Sequence, residues 1–408
     1  MPGPHTHTNP LPPADGAQQE HLQRVLAAVR AGIAAAGGWL PFDDYLRIVL
    51  YAPGLGYYSA GAAKFGAAGD FVTAPELSSL FGYSLARQCA EVLQEIGNSG
   101  ASTAVLEFGA GSGRLALDVL TRLATLGKLP DEYLILEVSA ELRERQRARI
   151  AAAPRELAAR VRWLEALPAA PIHGVILANE VLDALPFKRF VLTAAGCDEL
   201  GVALDAAGAP GWSARAPTPA LRAALGLLPQ ALRAAGAGPG FESEVCPLAE
   251  GWIQGLAAVL GAGAVLLFDY GVGRRDYYHP QRSRGTLRCH YRHRAHDDPF
   301  FQPGLQDITA WVDFTRVAEA ADAAGLEVAG YCTQAAFLMG AGIHEELQAA
   351  ASAAAEAPTA VAVARLAAEA RQLLLPEAMG ENFKAMALTR GLARPLQGFQ
   401  LQDLGRGL

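Results

Sequence analysis

The sequence predicts an α/β fold built on a doubly wound, mostly parallel sheet. From Ala104 onward, short apolar segments typical of buried strands alternate with segments of helical spacing, as in parallel strands joined by crossover helices. A glycine-rich turn at residues 109–113 connects the first of these strands to a helix. The composition, 51% hydrophobic and 18% charged over 408 residues, supplies a large core and excludes a disordered or collagen-like chain.

The N-terminal hundred residues precede this alternation. Residues 1–16 are rich in proline and histidine, lack the layout of a signal peptide, and are interpreted as a disordered lead-in. Apolar spacing predicts helices over residues 20–37 and 41–50, whereas residues 51–70 have the glycine- and tyrosine-rich composition of a binding loop. Thr73 and Glu76 match a capping box, which predicts one helix from Thr73 to about Ile96.

Strands and helices then alternate to residue 178, pause, and resume near residue 264. The predicted strands before the pause are residues 104–108, 133–137, 161–164 and 174–178. The pause contains a predicted hairpin (187–193 and 199–204) and alanine-rich helices (217–260). After it come a strand (264–268), a long polar loop (272–306), a helix (308–324), a strand (326–331), further helices (345–375) and a last strand (382–388).

Charge and cysteine content disfavour several classes of protein. Lys and Arg number 34 against 41 Asp and Glu, and the net charge of −7 disfavours a nucleic-acid partner. The five cysteines are far apart and form no CxxC pair, which disfavours disulfides and structural zinc and fits a reducing cytosol. No apolar run predicts membrane insertion. We therefore expect a cytoplasmic protein.

The strongest local signal is the segment LEFGAGSGR at residues 106–114. Gly109, Gly111 and Gly113 follow a strand and precede a helix, where glycine allows positive φ angles and close approach of a ligand. The third glycine comes one residue earlier than in the dinucleotide fingerprint, and Glu107 precedes the first glycine by two residues. This pattern suits a ligand with a cationic amino-acid portion, and the alternative is a merely tight strand–helix turn.

A second acidic residue, Glu137, ends the next predicted strand 28 residues after Gly109. A carboxylate at this position of a doubly wound sheet can accept hydrogen bonds from both hydroxyls of a ribose, although a solvent-exposed acid would look the same. Ser139 is a further candidate cofactor contact, and more simply the N-cap of the next helix. Glu107, the early third glycine and Glu137 together favour S-adenosylmethionine as the cofactor.

These motifs resemble the MidA-like family of class I S-adenosylmethionine-dependent methyltransferases. The resemblance covers about residues 20–400 and is carried by the blocks GDFVTAPE (69–76), LEFGAGSG (106–113), YLILEVS (133–139), ANEVLDALP (178–186), FDYG (268–271), and GTLR through PGLQDIT to VDF (285–314). It implies a Rossmann-like methyltransferase core with a mostly parallel seven-stranded sheet, an antiparallel strand at residues 382–388, and an additional discontinuous helical domain for the substrate. Mitochondrial members are, by this resemblance, complex I assembly factors that methylate an arginine of a complex I subunit.

The block at residues 178–186 supplies the candidate catalytic residues Asn179, Glu180 and Asp183. It follows the fourth strand, at the edge of the sheet where ligands of open α/β folds bind. Glu180 and Asp183 are three residues apart, so a helical turn would place both carboxylates on one face, where they could hold a planar guanidinium. The alternative is helix capping by Asn179 or Asp183 together with a solvent-exposed acid.

Three earlier residues are candidate cofactor contacts. Asp70 and Phe71 border the glycine- and tyrosine-rich loop and could close over the cofactor, or else be a turn acid and a core aromatic. Glu76 is a candidate as well, although the capping box alone would explain it. The His- and Arg-rich run at residues 288–296 lacks metal-ligand spacing, so no metal is predicted and a polar or substrate-facing loop is expected.

The chain is divided into seven predicted segments. They are a disordered lead-in (1–18), an N-terminal helical and loop segment packing on the core (19–100), the first half of the methyltransferase core (101–186), a hairpin-plus-helix substrate insertion (187–260), the second half of the core (261–334), a helical insertion (335–375), and a C-terminal strand and tail (376–408). The substrate cleft is expected between the core and the inserted segments.

The expected function is transfer of a methyl group from S-adenosylmethionine to an arginine of a protein substrate, with a respiratory complex I subunit as one acceptor. One alternative is an assembly chaperone that binds a respiratory-complex subunit and uses the cofactor only structurally. Another is an NAD-binding oxidoreductase. A small-molecule acceptor is also open, because this fold hosts many substrates. Nothing in the sequence predicts the oligomeric state.

Overall fold

The structure, a computed structural model, describes residues 15–59, 73–355 and 360–408. The chain forms two compact units, each assembled from three segments. We call Val72–Leu182, Glu250–Val272 and Phe314–Leu408 the core unit, and Met1–Phe71, Asp183–Ala249 and Gly273–Asp313 the accessory unit. The seven segment boundaries drawn from the sequence stay predictions.

Helices occupy both units. Within the described residues the α-helices are α1 (Gly16–Ala35), α2 (Phe42–Leu46), α3 (Ala74–Leu77), α4 (Ser79–Gly97), α5 (Arg114–Thr125), α6 (Ala140–Ala151), α7 (Arg155–Ala158), α8 (Pro219–Leu225), α9 (Leu228–Ala234), α10 (Leu248–Val259), α11 (Arg274–Tyr277), α12 (Phe314–Ala323), α13 (Gln334–Gly340), α14 (Ile343–Ala355) and α15 (Ala360–Leu374). Short π-helical turns lie at Arg47–Tyr51 and Pro376–Gly380, and 3₁₀ turns at Gln397–Phe399 and Gly405–Gly407. No helix in this part of the chain is both long enough and apolar enough to cross a bilayer.

The strands follow the same chain-order numbering. They are β1 (Leu40–Pro41), β2 (Ala104–Phe108), β3 (Glu132–Leu136), β4 (Val161–Leu164), β5 (Ile172–Asn179), β6 (Lys188–Leu192), β7 (Cys197–Leu204), β8 (Pro210–Arg215), β9 (Glu242–Val245), β10 (Leu260–Val272), β11 (Arg288–Tyr291), β12 (Arg294–His296), β13 (Asp307–Thr309), β14 (Val312–Asp313), β15 (Glu327–Thr333) and β16 (Phe383–Arg390).

The core unit contains a sheet with the strand order β15-β16-β10-β5-β2-β3-β4, counted over the described residues. The strands from β10 to β4 are parallel to their neighbours, and β16 runs antiparallel to both β10 and β15. The central strands are apolar runs because both faces are covered, and Val105, Ile135, Val175 and Leu266 are fully buried. The predicted α/β class with a mostly parallel sheet is confirmed.

The single helix predicted from Thr73 to Ile96 is wrong, because the chain forms two helices there. Ser78 separates α3 from α4 with an extended backbone (φ −154°), and its hydroxyl accepts the N–H of Leu80 as the cap of α4. Thr73 makes no side-chain capping hydrogen bond, so the predicted capping box does not form. Ser78 caps the second helix, and the Glu76 side chain is not used in a capping box.

The accessory unit contains two antiparallel sheets in addition to its helices, whereas a helical unit with one hairpin was predicted. That hairpin is present as β6 and β7. In one sheet β1, β7, β6 and β9 are neighbours and β8 pairs with β7; the other has the order β12-β11-β13. β9 lies in the stretch of residues 217–260, which was predicted to be helical because it is rich in alanine. Instead Glu244 lies opposite Arg189 on β6 and accepts its Nε–H at 3.1 Å, with both side chains buried.

Two further boundaries differ from the prediction in the stretch after β10. The loop predicted at residues 272–306 contains the hairpin β11–β12, whose tip residues Arg292 and His293 have positive φ angles of 48° and 60°. The helix predicted to begin at residue 308 begins at Phe314, because residues 307–309 pair with β11 as strand β13. The sequence does not show this pairing, since both strands are short and polar.

Candidate active site

The glycine-rich turn lies between β2 and α5 and has a backbone conformation that requires glycine. Gly109, Gly111 and Gly113 have φ angles of +60°, +54° and +79°. This left-handed region costs an ordinary L-residue roughly 1–2 kcal/mol. The Gly109 N–H donates to the Leu136 carbonyl at 3.0 Å, which joins the turn to the end of β3. The three predicted glycines therefore form one turn at the carboxyl edge of the parallel strands.

Glu107 lies in β2, and its side chain is buried in the core unit. Its Oε2 accepts a hydrogen bond from the Tyr133 hydroxyl at 2.6 Å. Burial raises the pKa of Glu107 to about 7, although the Tyr133 hydrogen bond lowers this pKa and the charge of Glu137 raises it. The carboxyl group is therefore partly protonated near neutral pH. Its predicted contact with the cationic portion of the cofactor stays a prediction.

Glu137 is the first residue after β3 and is buried, with 6% of its surface exposed. Its Oε1 accepts the Ser139 N–H at 2.9 Å, and its Oε2 accepts the side-chain amide of Gln146 at 3.0 Å. A carboxylate can accept about four hydrogen bonds, and these two fix its orientation. The Ser139 hydroxyl accepts the Leu142 N–H and caps α6, as predicted. Cofactor contacts by Glu137 and Ser139 stay predictions.

Gln146 and Trp163 belong to the same arrangement and were not predicted. The Gln146 amide also donates to the Gly111 carbonyl at 3.0 Å, and Trp163 Nε1 donates to Gln146 Oε1 at 2.9 Å. Gln146 lies on an arginine-rich helix whose polar sequence suggests full solvent exposure. The available signal is its spacing, because the buried residues of α6 are Leu142, Gln146 and Ile150, four residues apart.

Glu76 contacts the glycine-rich turn. Its carboxylate accepts a hydrogen bond from the Ser112 hydroxyl, and the same hydroxyl accepts Arg149 Nη1 at 3.0 Å. Arg114 Nη1 donates to the Glu76 backbone carbonyl at 2.7 Å. Glu76 therefore lies where a cofactor residue was predicted, supported by side chains of α5 and α6. A direct contact between Glu76 and the cofactor stays a prediction.

The candidate catalytic residues Asn179 and Glu180 lie at the end of β5. Glu180 has φ +53°, a left-handed conformation that few residues other than glycine adopt. Its N–H donates to the Phe268 carbonyl on β10 at 2.8 Å, and its Oε1 accepts the Asn179 amide at 3.0 Å. Sparsely populated backbone conformations held by specific partners occur preferentially at functional sites. The turn that contains Glu180 is therefore a candidate for one.

The Glu180 turn lies beside the glycine-rich turn. β2 and β5 are parallel neighbours with Phe108 opposite Ala178, so the chain leaves both strands at the same edge. The two turns lie close together, since a Cβ placed on Gly109 would lie 3.6 Å from the Val181 side chain.

Asp269 fixes the chain after Glu180 and was not among the predicted site residues. This acid on β10 is buried, and its Oδ2 accepts the Leu182 N–H at 2.9 Å while Oδ1 accepts the N–H of Tyr270 at 2.9 Å. The hydrogen bond to Leu182 holds the residues that follow Glu180 against β10. The only sequence signal for Asp269 was its place in the FDYG block.

The segment from Glu180 to Asp183 does not form a helix. Glu180 and Leu182 are in bends and Asp183 is in a turn, and the positive φ of Glu180 is incompatible with a right-handed helical turn. The expectation that helical spacing puts Glu180 and Asp183 on one face is therefore wrong, and so is the alternative of a helix cap. Asp183 belongs to the accessory unit, is buried, and accepts the Ala310 N–H at its carbonyl. Its catalytic role stays a prediction.

Asp183 has acidic and aromatic neighbours within the accessory unit. The Tyr58 hydroxyl donates to Asp307 at 2.6 Å, and the Tyr51 ring lies 5.3 Å from the Tyr58 ring. Burial raises the pKa of Tyr58 well above its usual range, and Asp307, Tyr51 and Asp183 raise it further. Tyr51 and Tyr58 share one stretch of the sequence, but Asp183 and Asp307 are far from it and from each other, so no local pattern joins the four residues.

Two groups of predicted residues contribute nothing to this description of the site. Asp70 and Phe71 lie outside the described residues. The His- and Arg-rich run forms β11 and β12, where burial lowers the pKa of His290 to about 4 and Arg288 and His296 lower it further. Over the described ranges, no three His, Cys, Asp or Glu side chains are arranged to hold a metal ion.

The residues at this edge of the core unit suit the predicted cofactor. Among the described residues, a Cβ at Gly109 would meet only Val181, so the turn offers its backbone to a ligand. Oδ1 of Asn179 is buried and has no hydrogen-bond partner among the residues that the structure describes. A donor group of a ligand could therefore bind it. Glu137 would accept ribose hydroxyls, and the glycine-rich turn would hold the amino-acid portion.

The fold and this site define the class as a cofactor-binding α/β methyltransferase, and comparison with known proteins agrees. Residues 84–332 match the family model described as "Putative S-adenosyl-L-methionine-dependent methyltransferase". The chain is 30% identical over 395 residues to the mitochondrial protein arginine methyltransferase NDUFAF7 of Danio rerio, covering 90% of this chain and 87% of that one. It is 31% identical over 380 residues to the Mus musculus protein of that name, covering 86% and 81%.

A solved structure is similar over nearly the whole chain. The crystal structure of a Burkholderia thailandensis protein bound to S-adenosyl-homocysteine matches with a TM-score of 0.90 at 43% identity, covering 98% of this chain and 100% of that one. The chain belongs to the S-adenosyl-L-methionine-dependent methyltransferase family whose model matches residues 84–332, and S-adenosylmethionine is its cofactor. The resemblance inferred from the motifs is confirmed, and the alternative of an NAD-binding oxidoreductase is wrong.

Proposed function

We propose that this methyltransferase transfers the methyl group of S-adenosylmethionine to a guanidinium nitrogen of an arginine in a protein substrate. Relatives about 30% identical over most of the chain carry the name protein arginine methyltransferase. The structural observation that carries the proposal is Glu180, held in a left-handed conformation beside the glycine-rich turn.

A guanidinium acceptor places specific demands on the enzyme. The arginine side chain is planar, keeps its charge at any physiological pH, and pairs with carboxylates through charge-assisted hydrogen bonds. The bound cofactor supplies a methyl group on a sulfonium, which is an electrophile. The protein must therefore orient one nitrogen toward the methyl carbon and receive one proton as the new bond forms. A fixed carboxylate can perform both tasks.

The geometry around Glu180 suits that role. Its backbone is tied to Phe268 on β10, its carboxylate is oriented by Asn179, and the following residues are tied to Asp269 through Leu182. Contacts on both sides of the residue reduce its freedom before the substrate arrives. Such preorganisation is the main way a protein accelerates an in-line displacement.

The experiment is a comparison of arginine methylation in cells that lack the gene and carry either the wild-type protein or Glu180→Gln. Mass spectrometry of the proteome should find methylated arginines that are present with wild type and absent without the gene. Glu180→Gln keeps the size and the backbone contact but removes the charge, so those sites should stay unmethylated. Titration of S-adenosylhomocysteine into both purified proteins controls for cofactor binding. Full methylation in the Glu180→Gln cells would overturn the proposal.

We further propose that the acceptor is a subunit of respiratory complex I and that the protein acts in the cytoplasm. The family resemblance supports the acceptor, and the cysteine content supports the compartment. Assembly of the respiratory complex should fail both without the gene and in the Glu180→Gln cells. Normal assembly with Glu180→Gln would instead favour the chaperone alternative, in which the cofactor is only structural.

A further inference from the structure

Gln146 connects the two parts of the core unit that we assign to the cofactor. Its side chain is completely buried on α6. Both amide hydrogens are used, one toward the Gly111 carbonyl and one toward Glu137 Oε2, each at 3.0 Å. Trp163 Nε1 can only donate, and it donates to the Gln146 oxygen at 2.9 Å, so the orientation of the amide is determined.

The backbone of Gln146 also contacts the glycine-rich turn. A Cβ placed on Gly113 would lie 3.3 Å from both Cα and Cγ of Gln146, closer than most real contacts allow. One residue therefore contacts the turn at two glycines and holds the carboxylate after β3. Helix α6 begins at the Ser139 cap, whose N–H donates to the other oxygen of Glu137. Glu137 is thus oriented by the N-cap residue of α6 and by a residue in the middle of the same helix.

We propose that Gln146 is the positioning residue of the cofactor site, and that its two amide hydrogens, rather than its volume, hold Glu137 and the glycine-rich turn in register. The inference rests on the proposed assignment of Glu137 to the ribose and of the turn to the amino-acid portion of the cofactor. Gln146 itself is not required to touch the cofactor.

The decisive variant is Gln146→Glu, which keeps the size of the side chain and removes the two N–H donors. The new carboxyl group would face the Glu137 carboxylate at hydrogen-bond distance in a buried place. Two such groups share one proton, and the second ionisation of the pair is strongly raised in pKa. Below that pKa the shared proton replaces one lost hydrogen bond. Above that pKa the two negative charges repel, and the glycine-rich turn and Glu137 no longer keep their relative positions.

The predicted result is a cofactor affinity that depends on pH in the variant. By calorimetric titration of S-adenosylhomocysteine, Gln146→Glu should bind at least about tenfold more weakly than wild type near pH 8.5, because hydrogen bonds to a charged group are lost. Near pH 5.5 the ratio to wild type should shrink to a few-fold, since the pair then carries its shared proton. A residue that only fills space would give a ratio independent of pH.

Gln88→Glu provides a matched control in the same unit. Gln88 is also a buried glutamine that donates to a carboxylate, that of Glu91, and it accepts the Gly398 N–H. The substitution creates the same kind of carboxylate pair on α4, where it contacts neither Glu137 nor the glycine-rich turn. Its stability should depend on pH, whereas its affinity for S-adenosylhomocysteine should match wild type across the range.

Two further variants keep the test decisive. If Gln146→Glu does not fold near pH 8.5, Trp163→Phe removes the donor that orients the amide, and its affinity should fall several-fold with a normal melting curve. Glu137→Ala separates the two assignments. Unchanged affinity in Glu137→Ala would refute the ribose assignment itself. Weakened affinity in Glu137→Ala, with a pH-independent ratio for Gln146→Glu or normal binding by a folded Trp163→Phe, would refute the role of Gln146 alone.

Discussion

Replacing Glu107 by glutamine should stabilise the core unit at alkaline pH and weaken cofactor binding there. The pKa of this buried carboxyl group is raised from 4.5 to about 7. The folded protein therefore holds the proton more tightly than the unfolded chain does. The stabilisation that protonated Glu107 provides is complete below about pH 4.5 and is lost as the pH rises through about 7. Glutamine does not titrate and keeps an oxygen that can accept the Tyr133 hydroxyl.

The size of the effect follows from the two pKa values. An interval from 4.5 to about 7, at about 1.4 kcal/mol per pKa unit, corresponds to about 3 kcal/mol of unfolding free energy. Glu107→Gln should resemble wild type near pH 4.5 and exceed its unfolding free energy by up to about 3 kcal/mol near pH 8. The cofactor affinity of Glu107→Gln should fall below that of wild type at alkaline pH, because only the ionised wild-type side chain attracts a cationic group.

Urea denaturation followed by circular dichroism, at about pH 5, 6, 7 and 8, measures the stability difference, and calorimetric titration measures affinity. Tyr133→Phe is the control, because it removes the hydrogen bond that lowers the pKa of Glu107. Its loss of stability relative to wild type should be larger near pH 8 than near pH 5. The reasoning fails if Glu107→Gln and wild type differ by the same free energy at both ends of the range.

Two shorter predictions concern charged residues in each unit. Glu137→Ala should bind S-adenosylhomocysteine at least about tenfold more weakly with a normal melting curve, since each lost hydrogen bond to a carboxylate is worth about 1.5–3 kcal/mol. Glu137→Gln should lose less affinity. Equal affinity of Glu137→Ala and wild type in a calorimetric titration would contradict the ribose assignment. Lys188→Met should lower the unfolding free energy by about 3–5 kcal/mol, because its ammonium lies 2.8 Å from Asp43 and 3.0 Å from Glu199, and the two buried carboxylates would lose their cation. A loss below about 1 kcal/mol in chemical denaturation would show that this cluster is not stabilised by its cation.

The parallel sheet could be predicted because each of its strands carries its own signal. β2 is buried along its whole length, is apolar at every position except Glu107, and is bounded by the glycine-rich turn. β9 carries no such signal, since Glu244 is buried among partners from other segments, Arg189 on β6 and Thr286. An acid that is neutralised across two strands has the same sequence signature as an acid on a helix surface.

The same distinction applies to the candidate site. The glycines and Glu137 stand at ends of strands, where the sequence alone implies a position at the sheet edge. Asp269 and Gln146 act through partners on other elements, and only the folded chain brings these partners together. The sequence shows which residues they are, but it does not show which groups they orient.

Glu76 shows how a correct local pattern can give a wrong contact. Thr73 and Glu76 have the spacing of a capping box, and in an isolated helix that pairing would be favourable. In the folded chain the helix ends after four residues, and the Glu76 carboxylate accepts the Ser112 hydroxyl of the glycine-rich turn. A capping hydrogen bond on a one-turn helix stabilises little, because so short a helix depends on its tertiary contacts. The contact that joins α3 to the candidate cofactor site is therefore the one that forms.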